Sequence, residues 1–320
     1  MYDVTALGEL LIDFTPSGTS VSGQRLFEQN PGGAPANVLA ALNNCGLKTA
    51  FLGKIGDDMH GLFLKETLEN AGIDCSGLIV DKDVFTTLAF VALNDKGERT
   101  FSFARKPGAD TMLRAQEVRE DIVRSSKVFH IGSLSLTNDP SRTAARHALD
   151  VAKEAGVTIS YDPNYRAPLW NTKEEAMEQM RSVVSYVDVM KISDEETSLL
   201  TPEAEPEKAA AWLVENGVPL VAVTLGSEGA FVCVKEDGKV IGRRVAGFQS
   251  KVADTTGAGD SFWGGFLYKL IESGKKPADV TLAEAEVFAR FGNAVASLCV
   301  EKRGGIPAIP KLSEVLERLK

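Results

Sequence analysis

The chain has 320 residues, 44% hydrophobic and 25% charged, which is ordinary globular composition. That length fits one large domain or two small ones and can bury a full core without staples. A formal net charge of −9 argues against a broad nucleic-acid surface but not against a phosphate-bearing ligand, because a local pocket of backbone amides holds phosphate whatever the global charge. The four cysteines, Cys45, Cys75, Cys233 and Cys299, are scattered, as are the three histidines, so no zinc spacing exists. They read as reduced thiols of a cytosolic protein. The N-terminus lacks a basic stretch followed by a long apolar one, and no window approaches ~18 continuous apolar residues. Neither a signal peptide nor a membrane span is expected, and the expected location is cytoplasmic.

Along the chain, short β-rich runs alternate with helical ones. DVTALGELLIDF (3–14) reads as a strand. APANVLAALNNCGLK reads as a helix stopped at Gly46, and TAFLGKIG as the next strand. DDMHGLFLKETLENAG reads as a helix with acids in its first turn and Gly72 past its end. Later, SRTAARHALDVAKEAG is helical, VTISYDPN is a buried strand, and AAAWLVENG leads into the strand VPLVAVTLG. Such alternation predicts a mostly parallel sheet with helices on both faces. Two segments break the rhythm. Residues 86–105 carry two β-rich arms around NDKG, a hairpin signal, and residues 15–30 are polar without helical period. Both read as excursions forming a small β lid, whose Leu88, Phe90, Phe101 and Phe103 need cover from a partner subunit or the main domain.

The stretch DTTGAGDSFWGGF (254–266) carries chemistry. Apolar residues at 262, 263, 266, 267, 270 and 271 have helical spacing, and Gly274 is a stop, so Gly257 to Asp260 fall at a helix N-terminus. The first amides of a helix lack internal partners and sit at the positive end of its dipole. Glycine lets an anion come close to them. Asp260 then stands where a transferring phosphoryl group and an acceptor hydroxyl could meet, able to take the hydroxyl proton. An Asp at a helix start is also a common cap, and Gly-Ala-Gly a common turn. No GxxxxGK[ST] occurs and no GxGxxG follows the first strand, which excludes a P-loop enzyme and argues against a Rossmann dehydrogenase.

DTTGAGDSF resembles the C-terminal signature of the PfkB, or ribokinase-like, family of sugar and nucleoside kinases. PGGAPANVLAAL through FLGKIGDDMHG (31–61) resembles its N-terminal signature. DPNYRAPLW, KISDEET, TLGSEGAF and GNAVASLCVEKRGGIPAIP look like further landmarks, so the resemblance runs along essentially the whole chain. Among the family's branches, GGAPANV, DPNYRAPLW and SDEE are most similar to bacterial fructokinases. The resemblance implies a single ribokinase-like domain over residues 1–320, a three-layer α/β sandwich with a discontinuous β lid at about 15–30 and 86–105. It implies ATP-dependent phosphorylation of a sugar hydroxyl, most nearly of fructose. 2-Keto-3-deoxygluconate or ribose is the alternative substrate, and an inactive sugar- or nucleotide-binding relative is the alternative of another class.

Residue by residue, the resemblance implies that Asp260 is the base and that the amides of Gly257, Ala258, Gly259 and Asp260 form an anion hole. The sugar is held by Asp13, Gly32, Gly33 and Asn37, with Asn164 and Arg166 at the sugar–phosphate side and Arg105 as a lid contact. Carboxylate, amide and glycine suit a polyol, which offers paired hydroxyls and lies against backbone. Lys191, Thr224, Gly226 and Gly229 match the nucleotide side, and Asn293 the adenine pocket. The family's Asn-x-x-Glu, which orders Mg²⁺ and its waters, departs here: Ser193 replaces the Asn while Glu196 matches the Glu. Asp254 and Thr256 match part of a K⁺ site. Separately from the resemblance, the apolar lid leads us to expect a homodimer through it.

Overall fold

The computed structural model describes residues 1–93 and 99–320, the side chains of residues 93, 99 and 101 aside. The turn expected at 94–97 and the Phe101 side chain therefore lie outside the described residues.

The strands are β1 (Tyr2–Leu7), β2 (Leu11–Thr19), β3 (Arg25–Gly32), β4 (Thr49–Gly56), β5 (Asp74–Asp81), β6 (Leu88–Leu93), β7 (Arg99–Ala104), β8 (Ser126–Ile131), β9 (Thr158–Tyr161), β10 (Val189–Ser193), β11 (Leu220–Thr224), β12 (Gly229–Glu236) and β13 (Lys239–Ala246). The helices are α1 (Ala34–Asn44), α2 (Met59–Asn70), α3 (Glu120–Arg124), α4 (Ser141–Glu154), α5 (Lys173–Ser182), α6 (Thr197–Leu200), α7 (Pro206–Glu215), α8 (Ala258–Ser273), α9 (Leu282–Cys299) and α10 (Leu312–Arg318). Nine strands form one sheet in the order β13-β12-β11-β10-β9-β8-β1-β4-β5. It is parallel from β5 to β11, with β12 and β13 added antiparallel at one edge. A second sheet of four strands, β3-β2-β6-β7, stands apart as a lid.

The run 3–14, which reads as one strand, is two. β1 ends at Leu7, and β2 starts at Leu11 in the other sheet. The apolar pattern continues across the break because residues 4–7 before it and 10–12 after it are buried, while Gly8 allows the close approach of Pro35 at the break. The chain thus leaves the main sheet at the point where the site is built.

Alternate residues of each parallel strand feed two cores. Leu220 and Ala222 of β11 face the layer of α1, α2, α8 and α9, with Leu39, Leu64, Phe266 and Phe288. Val221 and Val223 face the layer of α3, α4, α5 and α7, with Val123, Leu149, Met180 and Leu213. This is a three-layer α/β sandwich, as expected. Strands buried on both faces read as near-continuous apolar runs, as VPLVAV does. Helix ends follow local chemistry. Asp58 caps α2 by accepting from the amides of His60 and Gly61, and Gly46, Gly72 and Gly274 lie past helix ends at φ 91°, 79° and 67°, where other residues are strained. All four cysteines are free thiols, three of them buried. Among the described residues, no helix is long and apolar enough to cross a membrane.

Candidate active site

Crevices at the carboxyl ends of parallel strands collect ligand groups in open α/β sheets, and one opens here between the main sheet and the lid. It is a cavity of about 520 Å³, within the usual range for small-molecule sites. Its wall takes residues from the ends of β10 and β11, the loop after β9, the lid, and the starts of α1 and α8.

The start of α8 is a bare amide cluster. Gly257 precedes the helix at φ 75°, and a side chain there would press on Gly305 Cα at 3.3 Å. The first helical bond runs from Ser261 N–H to the Gly257 carbonyl at 2.8 Å. Ala258 N–H turns back to the Thr255 carbonyl at 3.3 Å, whereas the amides of Gly257, Gly259 and Asp260 make no hydrogen bond among the described residues. The loop before the helix is held by Asp254: Oδ1 accepts from Thr256 N–H and Oγ1–H at 2.9 and 2.8 Å, and Oδ2 from Gly304 N–H at 3.1 Å.

Asp260, in the first turn of α8, is buried at the cavity wall, and both its oxygens are engaged by amides. Asn37 Nδ2 of α1 donates to Oδ2 at 2.7 Å, and Asn164 Nδ2 donates to Oδ1 at 3.0 Å. Asn164 sits at φ 48°, a left-handed conformation that Asn tolerates better than most residues, with its own N–H on Asp162 Oδ1 at 3.2 Å. The strained backbone delivers a side-chain amide to the acid. Burial raises the Asp260 pKa; the Lys191 ammonium, the Asn37 amide, Arg166 and the Asn164 amide pull it back only in part.

Lys191, on β10, lies beneath Gly259, whose missing Cβ would stand 3.0 Å from Nζ. Its ammonium donates to Asp162 Oδ2 at 2.9 Å, and both are buried. Burial works against the charged lysine, and Asp162, Glu196 and Asp260 outweigh it, so its pKa is raised. Arg166 is exposed at the rim and spends one N–H on the Tyr165 carbonyl at 3.0 Å, leaving most of its fork for an anion. Glu196 accepts from Tyr165 N–H through Oε1 at 2.7 Å and from Ser193 N–H and Oγ–H through Oε2 at 2.8 and 3.0 Å. Ser193, where the resemblance wants Asn, therefore orients the glutamate.

The cavity thus joins Asp13, Gly33, Asn37, Asn164, Arg166, Lys191, Glu196, Thr224, Asp254, Thr256 and the 257–260 turn, drawn from well over 200 residues of chain. Gly32 abuts it: any side chain there would run into the Asp13 carboxylate. Other residues named from the sequence do not line it. Arg105, expected as a lid contact, is buried behind the wall. It donates to Asp110 Oδ2 through Nε and Nη2 at 2.9 and 2.7 Å, and to Thr137 Oγ1 and the Leu134 carbonyl at 2.9 and 3.0 Å. A buried guanidinium needs such a carboxylate, and Asp110 lies five residues on. Asn293 ties α9 to the end of β13, donating to the carbonyls of Val245 and Ala246 at 3.0 and 3.1 Å. Gly226 and Gly229 shape the turn between β11 and β12 at φ 57° and 102°.

Sequence reasoning passed over Asp162 and Glu9. Asp162 falls within DPNYR, and a carboxylate needed to neutralise a buried lysine has no sequence mark of its own. Glu9 did have one, being an acid inside the apolar run ALGELLI.

A model of the pfkB family carbohydrate kinases matches residues 1–312. The chain belongs to the pfkB family of carbohydrate kinases. It is 43% identical to fructokinase-2 of Solanum lycopersicum over 324 aligned positions, covering 99% of this chain and 96% of that one. Among solved structures it is similar to a fructokinase from Xylella fastidiosa with bound ATP, at a TM-score of 0.90 and 31% identity, covering 100% of this chain and 98% of the other. It is also similar to the fructokinase from Vibrio cholerae O395 in a form bound to fructose, ADP and calcium, at a TM-score of 0.87 and 32% identity, covering 100% and 99%. The fructokinase likeness thus spans plant and bacterial members of the pfkB family, with the plant sequence the more similar of these three.

Proposed function

We propose that this chain is an ATP-dependent fructokinase that uses Asp260 as the base. The observation that carries the reading is the joining, in one cavity, of a buried carboxylate aligned by two amides with unpaired helix-start amides directly beside it. Fructose is chosen over other sugars because the similar plant and bacterial proteins are fructokinases, one of them bound to fructose and ADP.

In this reading the sugar lies against Gly32 and Gly33, held by Asp13 and Asn37. Asp260 accepts the proton of the attacking hydroxyl as the new O–P bond forms and the bond from the γ-phosphorus to the bridging oxygen breaks. The amides of Gly257, Gly259 and Asp260, with Lys191 beneath and Arg166 at the rim, stabilise charge on the phosphoryl oxygens. Closure of the lid excludes water, so that ATP is not spent on hydrolysis.

A divalent ion bound beside Glu196 would supply positive charge against the nucleotide phosphates. Related structures hold calcium, or ATP with Mg²⁺. The donor set fits Mg²⁺ bound mainly by phosphate and water, an ion that is reluctant to shed its waters. Among the described residues no group of three His, Cys, Asp or Glu side chains could hold a metal, yet Glu196 faces the cavity with only one donor on Oε1, leaving it able to orient a metal-bound water. A monovalent cation such as K⁺ belongs beside the 254–257 loop, with Asp254, Thr256 and backbone carbonyls as ligands; one related fructokinase structure contains potassium. The enzyme works in the cytoplasm, where its four free thiols stay reduced. It dimerises through the lid, whose Leu26, Phe27 and Phe90 are 45%, 42% and 39% exposed and would be covered by a second copy.

A panel of hexoses, pentoses, ketodeoxy acids and nucleosides compared by kcat/KM with ATP and Mg²⁺ tests the substrate. Fructose should lead; a lead of tenfold or more for 2-keto-3-deoxygluconate or ribose would overturn the choice of sugar.

A further inference from the structure

Two side-chain oxygens in the wall of the cavity are buried and make no hydrogen bond among the described residues: Glu9 Oε2 and Asn37 Oδ1. Buried polar atoms are nearly always paired, so orphans in a binding cavity mark groups that wait for a ligand. Asn37 is already read as a sugar contact. Glu9 is used by nothing described above. It lies between β1 and β2, where the chain crosses to the lid, and is only 3% exposed.

Its position is fixed. Oε1 accepts from Ala34 N–H, the first amide of α1, at 2.8 Å, and Gly33 packs so closely on the Glu9 carbonyl that no side chain fits there. Burial pushes the carboxyl up, to about 7; its own backbone amide, the Ala34 amide and Arg105 pull it down, and Asp110 pushes it further up. Holding one helix amide does not require this residue. No cap side chain fits at Gly33, so the amide is met from position 9, but one carbonyl oxygen there would suffice, and the second carboxylate oxygen, Oε2, carries a burial cost that capping alone does not explain.

We propose that Glu9 is a specificity-determining residue whose Oε2 accepts a hydrogen bond from a sugar hydroxyl other than the one phosphorylated. The geometry selects the far side of the sugar. Ala34 and Asn37 lie three residues apart on one face of α1, roughly 4.5 Å along its axis. Asn37 reaches Asp260, whereas Ala34 holds Glu9. Glu9 and Asp260 thus meet successive positions along the same face of α1, and both line the one cavity, which suits different hydroxyls of one sugar. The ligand class is a polyhydroxylated sugar, and an analogue lacking the hydroxyl at Glu9 leaves a buried acceptor unpaired.

The inference rests on the sugar-kinase reading, and its test separates the two. kcat/KM is measured for wild type and Glu9→Gln on the best wild-type sugar and on its monodeoxy series. Glu9→Gln keeps a carbonyl for Ala34 N–H and replaces the second acceptor with a donor. The loss on the parent sugar should be about 10- to 100-fold, chiefly in KM, and should vanish for one deoxy analogue that wild type already handles poorly. An equal loss on every analogue, or none on the parent, would overturn the proposal while leaving the kinase reading intact. A wild type that phosphorylates no sugar would sink both. If Glu9→Gln does not fold, Glu9→Asp, which withdraws the carboxylate by one methylene, is read in the same way. If neither folds, Glu9 is a structural acid and the proposal fails.

Discussion

A base that works at neutral pH has to be buried enough to attract a proton and charged enough to be ready for one. Asp260 meets both demands through named neighbours. Burial raises its pKa above the ordinary value, and Lys191, Asn37, Arg166 and Asn164 restrain the rise. The sign of the pH effect follows. Turnover needs the carboxylate, so kcat should fall as pH drops through a pKa lying above the usual ~3.9. Lys191→Met removes the largest restraint on that rise, so the acidic limb of log kcat should move to higher pH; an unmoved limb would separate Lys191 from the base. The same variant strands a buried Asp162, whose pKa burial already pushes up to about 7, so stability should be lost as pH rises and this acid ionises, and Asp162→Asn in the same chain should largely restore it in a denaturant titration.

At the scale of elements, the start of α8 is where sequence and structure meet most directly. Its glycines are required by space. Gly257 takes a left-handed φ, and the Gly259 Cβ position lies against the Lys191 ammonium. Gly259→Val should therefore lower ATP turnover by at least tenfold, the lysine being displaced from beneath the amides, with an unchanged far-ultraviolet circular dichroism spectrum. Normal kcat/KM for ATP in that variant would mean that the cradle tolerates bulk and is not the phosphate site. This helix could be read from sequence because its apolar spacing, its glycines and its stop are all local. The layers could be read for the same reason, since each doubly buried strand and amphipathic helix records its surroundings in its own residues. What could not be read depended on distant partners. Asp110 stands only five residues beyond Arg105, but whether the guanidinium turns to it or to a ligand is set by Thr137 and Leu134, some thirty residues on, and nothing in GNAVASL says that Asn293 holds β13. The break at Gly8 is hidden because residues 4–7 before it and 10–12 after it are all buried, so the apolar pattern resumes at once on the far side.

At the scale of the whole molecule, the site exists only because the sheet brings remote segments to one edge and the lid stands over them. Asn37 and Asp260 are 223 residues apart in sequence and share a hydrogen bond. The lid has an aromatic cluster, Phe14 stacked on Phe90 and Phe27 edge-on to it, with Leu26 and Val21 exposed nearby. If a second copy covers this face, Phe27→Asp with Leu26→Asp should convert a dimer to a monomer in sedimentation velocity at micromolar concentration, and a wild-type monomer would refute the interface. The measurement that bears most directly on the central claim is single-turnover phosphoryl transfer to fructose by Asp260→Asn, with ATP affinity and thermal stability followed in parallel. The side chain keeps its shape but cannot take the proton, so the rate of transfer should fall by on the order of 10²–10⁴ while nucleotide affinity and fold remain. Transfer at close to the wild-type rate would contradict the account and remove Asp260 from the chemistry.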